Sequence, residues 1–286
     1  MNNCSDILKF IQFVDDITTL FSHTSIIELN KTLETESKKV TDWLVANKLI
    51  INLNKTHCML FTNKIGTFNL SLIIDNINIE EKDSTSFLGV IIDNKLTWKH
   101  HIQHISNKIS KTVALLKLLR HKFPKYILKL IYMSLIYSHL NYCNLIWGNA
   151  YNNALDPLYR LQKKAIRLVN NSHYLSPSEP IFKSLVLLDI HNLFKFNCLS
   201  FAYKCIKMDL YPQFKEIFIR NSSIHNYETR INNEYRPSLE RLNLCQRSCL
   251  YQCIILWNLV GDDTKKYNSI ITFKKKIKML LIEAML

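Results

Sequence analysis

Hydrophobic residues along the chain follow two different periods, and the change between them falls near residue 98. Before that point, short runs of β-branched and aromatic residues are separated by Asp and Asn, a pattern typical of strands and turns. Residues 10–21 place an acidic doublet between two such runs and predict a strand, a tight turn and a second strand. Later runs predict strands over residues 49–53, 56–61, 69–74, 77–79 and 87–92.

One helix is predicted among these strands, over residues 25–47. Its apolar residues recur at helical spacing. They are Ile26, Leu29, Leu33, Val40 and Leu44. Ser25 followed by Glu28 has the form of a capping box, and Asn47 is suited to a left-handed helix stop. The first third of the chain therefore predicts a helix packed on strands.

Beyond residue 98 the apolar period becomes helical. The first helix is marked by Ile102, Ile105, Ile109, Val113 and Leu116. Pro124 interrupts it, because proline cannot continue a helix. Further helices are predicted over residues 126–145, 155–170, 189–207, 239–259 and 269–281. Loops are predicted around Pro177 and Pro180 and over residues 221–237. The predicted fold class is α+β, with the strands confined to the first third.

Charge divides the chain at the same place as the hydrophobic period. Residues 1–94 hold 8 Lys and Arg against 12 Asp and Glu, whereas residues 95–286 hold 29 against 11. The net charges are −4 and +18, which account for the total of +14. An acidic first part and a basic second part predict a metal-binding region joined to a region that faces a polyanion.

Composition excludes several classes of protein. With 286 residues, of which 48% are hydrophobic, the chain can bury a core, and its four glycines are too few for a Walker-type phosphate loop. The scattered cysteines predict reduced thiols and an intracellular location, nuclear or cytoplasmic. No segment predicts a membrane span or a signal peptide. Cys245, Cys249 and Cys253 share a helical spacing, for which buried packing is favoured over zinc binding.

The acidic doublet, Asp15 and Asp16, is the strongest candidate for chemistry. Two carboxylates at the tip of a hairpin can hold a hard divalent cation, because Mg²⁺ takes oxygen ligands and needs few protein carboxylates. The alternative is a plain turn, in which Asp is common for local hydrogen-bonding reasons. The sequence around the doublet is needed to choose between a metal site and a plain turn.

That context resembles one protein family. The order F-V-D-D, then W-L-V-A-N-K-L-I-I-N-L-N-K-T-H-C-M-L-F, then F-L-G-V-I-I-D is similar to the C-terminal portion of reverse transcriptases, the RNA-directed DNA polymerases. More narrowly it resembles those of jockey-like non-LTR retrotransposons. Later stretches that add to the resemblance are L-N-Y-C-N-L-I-W-G-N-A, L-Q-K-K-A-I-R and F-K-K-K-I-K.

The resemblance implies roles for the first part of the chain. Asp15 would be a ligand of catalytic Mg²⁺ or Mn²⁺, with Asp16 supporting it. Lys55 would donate a proton to the leaving pyrophosphate, although a surface lysine in a turn is the alternative. The primer terminus would be positioned by Phe87, Leu88 and Gly89. An ordinary buried strand is the alternative for this segment, and only Gly89 distinguishes the two.

The resemblance also implies a domain organisation and partners. Residues 1–98 would form a partial polymerase palm, an antiparallel sheet with a packed helix. Residues 99–175 would form a helical thumb, and residues 176–286 a helical C-terminal extension. The implied partners are an RNA template, the RNA/DNA duplex and deoxynucleoside triphosphates, without a membrane or a small-molecule cofactor. Candidate phosphate contacts are Lys108, Lys111, Lys117, Arg120, Lys122, Lys163, Lys164 and Arg167.

These basic residues cannot all face one duplex, because Lys117 lies opposite Lys108 on a helical wheel. A second basic run, Lys274, Lys275, Lys276 and Lys278, could contact phosphate, direct nuclear import or only increase solubility.

The resemblance also implies parts that the sequence does not supply. Related polymerases carry fingers, further palm strands and another metal-binding aspartate before the doublet, where this chain has only Asp6. We therefore expect an N-terminally truncated polymerase that binds metal weakly and is inactive alone, with unpaired sheet edges near the doublet. The alternative is a catalytically inactive nucleic-acid-binding remnant.

Overall fold

A computed structural model describes residues 9–284, apart from 65, 67, 69, 209 and 225–231. Asp6, residue 69 and part of the predicted loop over residues 221–237 thus lie outside the described residues. The chain divides into two compact units, Met1–Leu96 and Thr97–Leu286. The predicted mixture of helix and strand is confirmed, with the strands in the first unit and mostly helix in the second.

The first unit contains short strands and one long helix. The strands are β1 Lys9–Phe13, β2 Asp16–Leu20, β3 His57–Cys58, β4 Ile73–Ile74, β5 Ile77–Asn78, β6 Glu80–Glu81, β7 Ser84–Phe87 and β8 Val90–Asp93. Three pairs are antiparallel hairpins, β1–β2, β4–β5 and β7–β8, while β3 pairs in parallel with β6. Within the described residues these are four separate two-stranded sheets, so the predicted single antiparallel sheet is not formed.

Helix α1, Ile26–Ala46, confirms the predicted helix. Its buried residues include Leu33 and Leu44, and the backbone N–H of Ser71 donates to Asn30 Oδ1 on this helix at 3.3 Å. Two predictions about the ends of α1 are wrong. Ser25 accepts no capping bond through its side chain. Asn47 is not left-handed, since its φ is −92°, and the left-handed residue is instead Lys48, with φ of 57°.

Several predicted strands are shorter or absent. Residues 49–53 form no strand, although the side chains of Ile51 and Leu53 pack against a small cluster of Leu72, Ile74 and Ile79. The apolar alternation there predicted burial correctly and the backbone conformation wrongly. A loop that lays its side chains on neighbouring residues satisfies the same pattern as a strand.

The second unit is a set of packed helices. They are α2 Lys99–Leu119, α3 Lys125–Tyr132, α4 Ser138–Asn141, α5 Asn144–Trp147, α6 Asn152–Val169, α7 Ser178–Leu185, α8 Ile190–Lys207, α9 Asn243–Gln246, α10 Cys249–Leu259, α11 Asp262–Lys265 and α12 Ile270–Glu283. A π-helical turn, Met133–Tyr137, joins α3 to α4, and short 3₁₀ turns occur at Pro212–Ile217 and Asn221–Ser223.

Helix α2 confirms the predicted period, since all five of its marker residues are buried. The predicted helix over residues 126–145 is confirmed as far as Asn141 and is wrong only near its end. It continues through the π-helical turn to Asn141, and Cys143 then takes a left-handed conformation with φ of 47°. The loop predicted around Pro180 is helix α7. Proline is tolerated there because it occupies the first turn, whose N–H groups need no helical partner.

The helix predicted over residues 239–259 is two helices, α9 and α10, separated at Arg247–Ser248. The side chain of Ser248 accepts a bond from the backbone N–H of Tyr251 at 3.3 Å and so begins α10. Cys245 therefore lies on a different helix from Cys249 and Cys253. Cys253 is buried, and its thiol donates to the carbonyl of Cys198 at 3.3 Å, which indicates packing between α10 and α8.

Among the described helices, none is by itself both long and apolar enough to span a membrane. The bent pair α7 and α8 would pass by length and composition alone.

Two apolar clusters form the interior of the second unit. The larger joins α2, α3 and α6 with the α7–α8 region, and the smaller joins α8 with α10 and α12. Gln162 of α6 lies in the larger cluster without solvent exposure. Its Nε2 donates to Tyr132 Oη at 3.0 Å and to the carbonyl of Leu188 at 3.1 Å, and its Oε1 accepts from the N–H of Ile190 at 2.9 Å.

We expect Gln162→Leu to lower the free energy of unfolding by about 2–4 kcal/mol, because it leaves buried polar groups of three other residues without this partner. The measurement is urea unfolding, with a lower midpoint and an unchanged slope. Gln103→Leu is the matched control, since Gln103 is exposed on α2 and only bonds Asn107. A Gln162→Leu midpoint equal to that of the control would show that the buried amide does not organise the unit.

Candidate functional site

The acidic doublet lies at the tip of a hairpin, as the sequence predicts. Strands β1 and β2 are in register from Lys9 opposite Leu20 to Phe13 opposite Asp16, which leaves Val14 and Asp15 as the two-residue turn. Both Asp15 and Asp16 are exposed to solvent. Their carboxylates are therefore accessible to an ion or a phosphate-bearing ligand from outside.

The turn itself is strained. Val14 has φ of 56°, a region that a β-branched residue rarely adopts, and its carbonyl accepts a bond from the Gln12 side chain at 3.3 Å. Strain of this kind persists where the surrounding structure holds it and is common next to functional groups. Positive φ at the first residue is also what a two-residue hairpin turn requires, and Gly or Asn would be the unstrained choice there.

The hairpin is also poorly covered. Among the described residues β1 and β2 pair only with each other, and apolar side chains of the hairpin are exposed. These are Ile11, Phe13, Val14 and Leu20. The expected unpaired sheet edges near the doublet are thus confirmed for the described strands.

A third metal ligand does not accompany the doublet in the described part of the chain, where no three His, Cys, Asp or Glu side chains gather in a way that could hold a metal ion. Two exposed carboxylates are ligands of the type that Mg²⁺ and Mn²⁺ prefer, since both ions take oxygen ligands. Two carboxylates alone do not enclose the ion. The fit to a catalytic metal is therefore partial.

Lys55 lies in an exposed turn between α1 and β3. The N–H groups of Lys55 and Thr56 both donate to the carbonyl of Asn52 at 3.0 Å. His57, two residues later, contacts the carbonyl of Lys55 through Nδ1 at 3.1 Å and the hydroxyl of Thr85 through Nε2. This contact ties the Lys55 turn to strand β7, a connection that the sequence did not indicate.

The segment Phe87, Leu88 and Gly89 is not part of one strand over residues 87–92. Strand β7 ends at Phe87 and β8 begins at Val90, so Leu88 and Gly89 form the exposed turn of a hairpin, with φ of 47° and 78°. Positive φ at both turn residues matches the twist of a two-residue hairpin and explains the glycine. The three residues that would position a primer therefore lie at a projecting tip rather than inside a sheet.

The basic residues of α2 face in different directions. Lys108 and Lys111 share an exposed face, and Lys117 lies half a turn away from Lys108, as the helical wheel predicts. Burial lowers the pKa of His139 on α4, and the charges of Lys108 and His104 on α2 add to this effect. Burial is also the main cause that lowers the pKa of His101 to about 4, with His104 and Lys108 adding to it.

At the end of α2, Arg120 is partly buried and donates through Nε to His121 at 2.8 Å, whereas Lys122 is exposed in the following turn. The cluster on α6 is divided in the same way. Lys164 is exposed, Lys163 places its ammonium 4.3 Å from the ring centre of Tyr159, and Arg167 donates to the carbonyl of Ser176 at 2.7 Å. Arg167 therefore supports the loop before α7.

The run on α12 is not one patch either. Burial lowers the pKa of Lys274 and of Lys278, with Lys204 and Lys129 as the next contributors, while Lys275 and Lys276 are exposed. Only the exposed pair is positioned as a solvent-facing cationic group.

The stretch L-N-Y-C-N-L-I-W-G-N-A is structural rather than catalytic. It makes the corner between α4 and α6, where the indole N–H of Trp147 donates to the carbonyl of Tyr142 at 2.9 Å. Asn144 is buried beside Gly148, and a Cβ on Gly148 would lie 2.5 Å from the Asn144 carbonyl oxygen. Asn149 exchanges hydrogen bonds with Arg247.

The chain is similar to curated RNA-directed DNA polymerases of mobile elements. The chain is 25% identical over 163 residues to the "RNA-directed DNA polymerase from mobile element jockey" of Drosophila funebris, covering 56% of this chain and 18% of that protein. It is 21% identical over 181 residues to the "Probable RNA-directed DNA polymerase from transposon X-element" of Drosophila melanogaster, covering 62% and 20%. The jockey polymerase of Drosophila melanogaster is 24% identical over 176 residues.

The resemblance to reverse transcriptases is thereby confirmed. More narrowly, the similarity is to those of the mobile elements jockey and X, and the chain spans about a fifth of the length of these relatives. No family model matches the chain. No solved structure matches it.

We expect Gly148→Ala to lower the free energy of unfolding by about 1–3 kcal/mol, because the added methyl group meets a backbone carbonyl and a buried amide that cannot both move. Chemical denaturation of the chain measures the change. Gly261→Ala is the matched control: a Cβ there meets nothing within 4 Å, and the expected change is under about 1 kcal/mol. Equal stability of the two variants would contradict a tightly closed α4–α6 corner.

Proposed function

We propose that this chain is part of an RNA-directed DNA polymerase of a jockey-like non-LTR mobile element. In the complete enzyme it would contribute to nucleotidyl transfer onto a primer 3′-hydroxyl. The observation that carries the proposal is the Asp15–Asp16 pair at an exposed and strained hairpin tip, in a chain whose curated relatives are polymerases of this kind.

In this proposal the first unit is the remaining part of the palm. Asp15, with Asp16 beside it, would hold one side of a divalent ion, and the unpaired edges of β1 and β2 are where further palm strands would add. The bound ion, Mg²⁺ or Mn²⁺, would stabilise charge on the triphosphate and activate the primer hydroxyl. The remaining carboxylate would come from outside the described residues.

The turn at Lys55 and the tip at Phe87–Gly89 would act on the substrates. Lys55 is exposed and carries a cation that can reach a pyrophosphate, and Gly89 permits close backbone approach to a primer terminus. The bond between His57 and Thr85 holds the two segments together, so both would move as one support. The helical second unit would form the thumb and C-terminal extension and hold the template–primer duplex through its phosphates.

A second candidate function is nucleic-acid binding without chemistry. It is favoured by the construction of the second unit, which has its own apolar clusters and carries most of the positive charge. A fold of that kind keeps its cationic surface whether or not the hairpin carboxylates bind metal.

The metal site is tested by Mn²⁺ binding, followed through the loss of the free Mn²⁺ paramagnetic resonance signal. We expect weak binding that disappears in Asp15→Asn with Asp16→Asn, because neutral amides do not compensate the charge of the ion. The matched control is Asp75→Asn, since Asp75 is an exposed acid in the turn between β4 and β5. Equal binding by both variants would contradict a metal site at the doublet.

The nucleic-acid surface is tested by binding of an RNA/DNA duplex at increasing salt. We expect the affinity to fall steeply as salt is added. For B-form DNA, the logarithm of the binding constant falls against the logarithm of the salt concentration with a slope of roughly −0.9 for each phosphate neutralised, and we expect a slope of similar size for the RNA/DNA duplex. Lys108→Gln with Lys111→Gln should lower both affinity and slope, whereas Lys31→Gln with Lys38→Gln, exposed on α1, should not.

The same measurement on Asp15→Asn with Asp16→Asn separates the two functions. Unchanged duplex affinity together with lost Mn²⁺ binding is the result expected of a polymerase portion. Unchanged duplex affinity without Mn²⁺ binding by the unaltered chain would support the binding remnant instead. Absence of duplex binding at low salt would contradict both.

A further inference from the structure

The bend between α2 and α3 exposes aromatic rings among cations. We call residues 117–126 the α2–α3 corner. In it the side chain of Phe123 is 44% exposed and that of Tyr126 is 72% exposed. Lys122 and Lys125, which directly precede Phe123 and Tyr126 in the sequence, are exposed as well. Exposure of two large rings this close together is a feature that folding of the second unit does not require.

The backbone of the corner is well defined. The N–H groups of Lys122 and Phe123 donate to the carbonyl of Leu119 at 2.9 and 3.1 Å. Pro124 then begins α3, accepting from the N–H groups of Ile127 and Leu128. The rings are therefore presented by a fixed turn, so ordering them on a ligand costs only side-chain entropy.

The orientation of α3 keeps Tyr126 away from the interior. Leu128 and Tyr132 form the buried side of this helix, and Tyr126 lies on the opposite side together with Leu130, which is 63% exposed. On α2, Leu118 is 71% exposed. Both helices that meet at the corner thus carry further exposed apolar side chains.

Charge indicates what this surface binds. Between Asp93 and Asp156 the sequence contains no acidic residue, and the same interval contains nine Lys and Arg. A protein partner with ordinary mixed charge would gain little from such a surface. A ligand that combines flat aromatic faces with regularly spaced negative charges is complementary to both of its features, and single-stranded nucleic acid is such a ligand.

We propose that the α2–α3 corner binds single-stranded nucleic acid, with Phe123 and Tyr126 stacking on unpaired bases and with Lys122 and Lys125 contacting the adjacent phosphates. This inference rests on the proposed nucleic-acid function and makes it more specific. Stacking on unpaired bases differs from the phosphate contacts of a duplex, because paired bases do not expose their faces.

The test compares two fluorescein-labelled strands of equal length, one of twelve uridines and one of twelve abasic nucleotides, by fluorescence anisotropy with the full chain. Both carry the same phosphates, but only the first has rings to stack. We expect Phe123→Leu with Tyr126→Leu to weaken uridine binding by roughly 30-fold or more, given about 1–3 kcal/mol for each of two stacked bases. Abasic binding should stay within about 2-fold.

Two further variants make the result specific. Lys122→Gln with Lys125→Gln should weaken both strands and reduce the salt slope by about 1.4, at roughly 0.7 for each phosphate of a single strand. Tyr267→Leu is the matched control, because Tyr267 is also exposed and its hydrogen bonds use backbone groups: its carbonyl accepts from Tyr203 and its N–H donates to Thr264. It should bind like the unaltered chain.

The outcomes separate this inference from the function on which it rests. Equal affinity of the unaltered chain for uridine and abasic strands, or no loss in Phe123→Leu with Tyr126→Leu, would overturn stacking and leave phosphate binding intact. Absence of binding to either strand and to duplex would overturn the nucleic-acid function as well. A deoxythymidine strand of the same length shows whether the ribose hydroxyl contributes, since stacking alone predicts similar loss for RNA and DNA.

Discussion

The buried amide of Gln162 fixes the arrangement of the helical unit. It joins α6 to Tyr132 at the end of α3 and to Leu188 and Ile190 at the start of α8, segments that are far apart in the sequence. Apolar contacts alone tolerate sliding of one helix along another, but three directed bonds at a fully buried amide do not. Burial also raises the pKa of Tyr132, which keeps its hydroxyl protonated beside the amide.

The same amide orients the basic face of α6. Because Gln162 points into the core, Lys163 and Lys164, which follow it, are turned toward the surface. Arg167 is then placed to hold the carbonyl of Ser176. The stretch L-Q-K-K-A-I-R therefore combines a structural residue with cations that depend on it. The exposure of these cations is therefore a consequence of how the helix is anchored.

The sequence predicted the long helices and the acidic hairpin because each has a strong local signal. The five apolar residues of α2 repeat over about four turns, and the doublet stands between two β-prone runs. The short strands were not predictable in the same way. The apolar run over residues 87–92 contains a turn, and Gly89 is the one residue in the run that indicates it. Leu88, which has positive φ, is the other turn residue. The link between His57 and Thr85 joins residues 28 apart, so no local pattern could show it.

The acidic doublet and most of the positive charge belong to different units of this chain. The carboxylates of the doublet and the Phe87–Gly89 tip project from small two-stranded sheets in the unit that ends at Leu96, whereas most Lys and Arg residues belong to the unit whose helices pack on two apolar clusters of their own. A cation on such a helix needs only solvent exposure and a rigid support to attract a polyanion. A catalytic metal needs several ligands placed together, to which the described residues contribute two carboxylates. We therefore expect substitutions at the doublet to leave the cationic helices of the second unit unaltered.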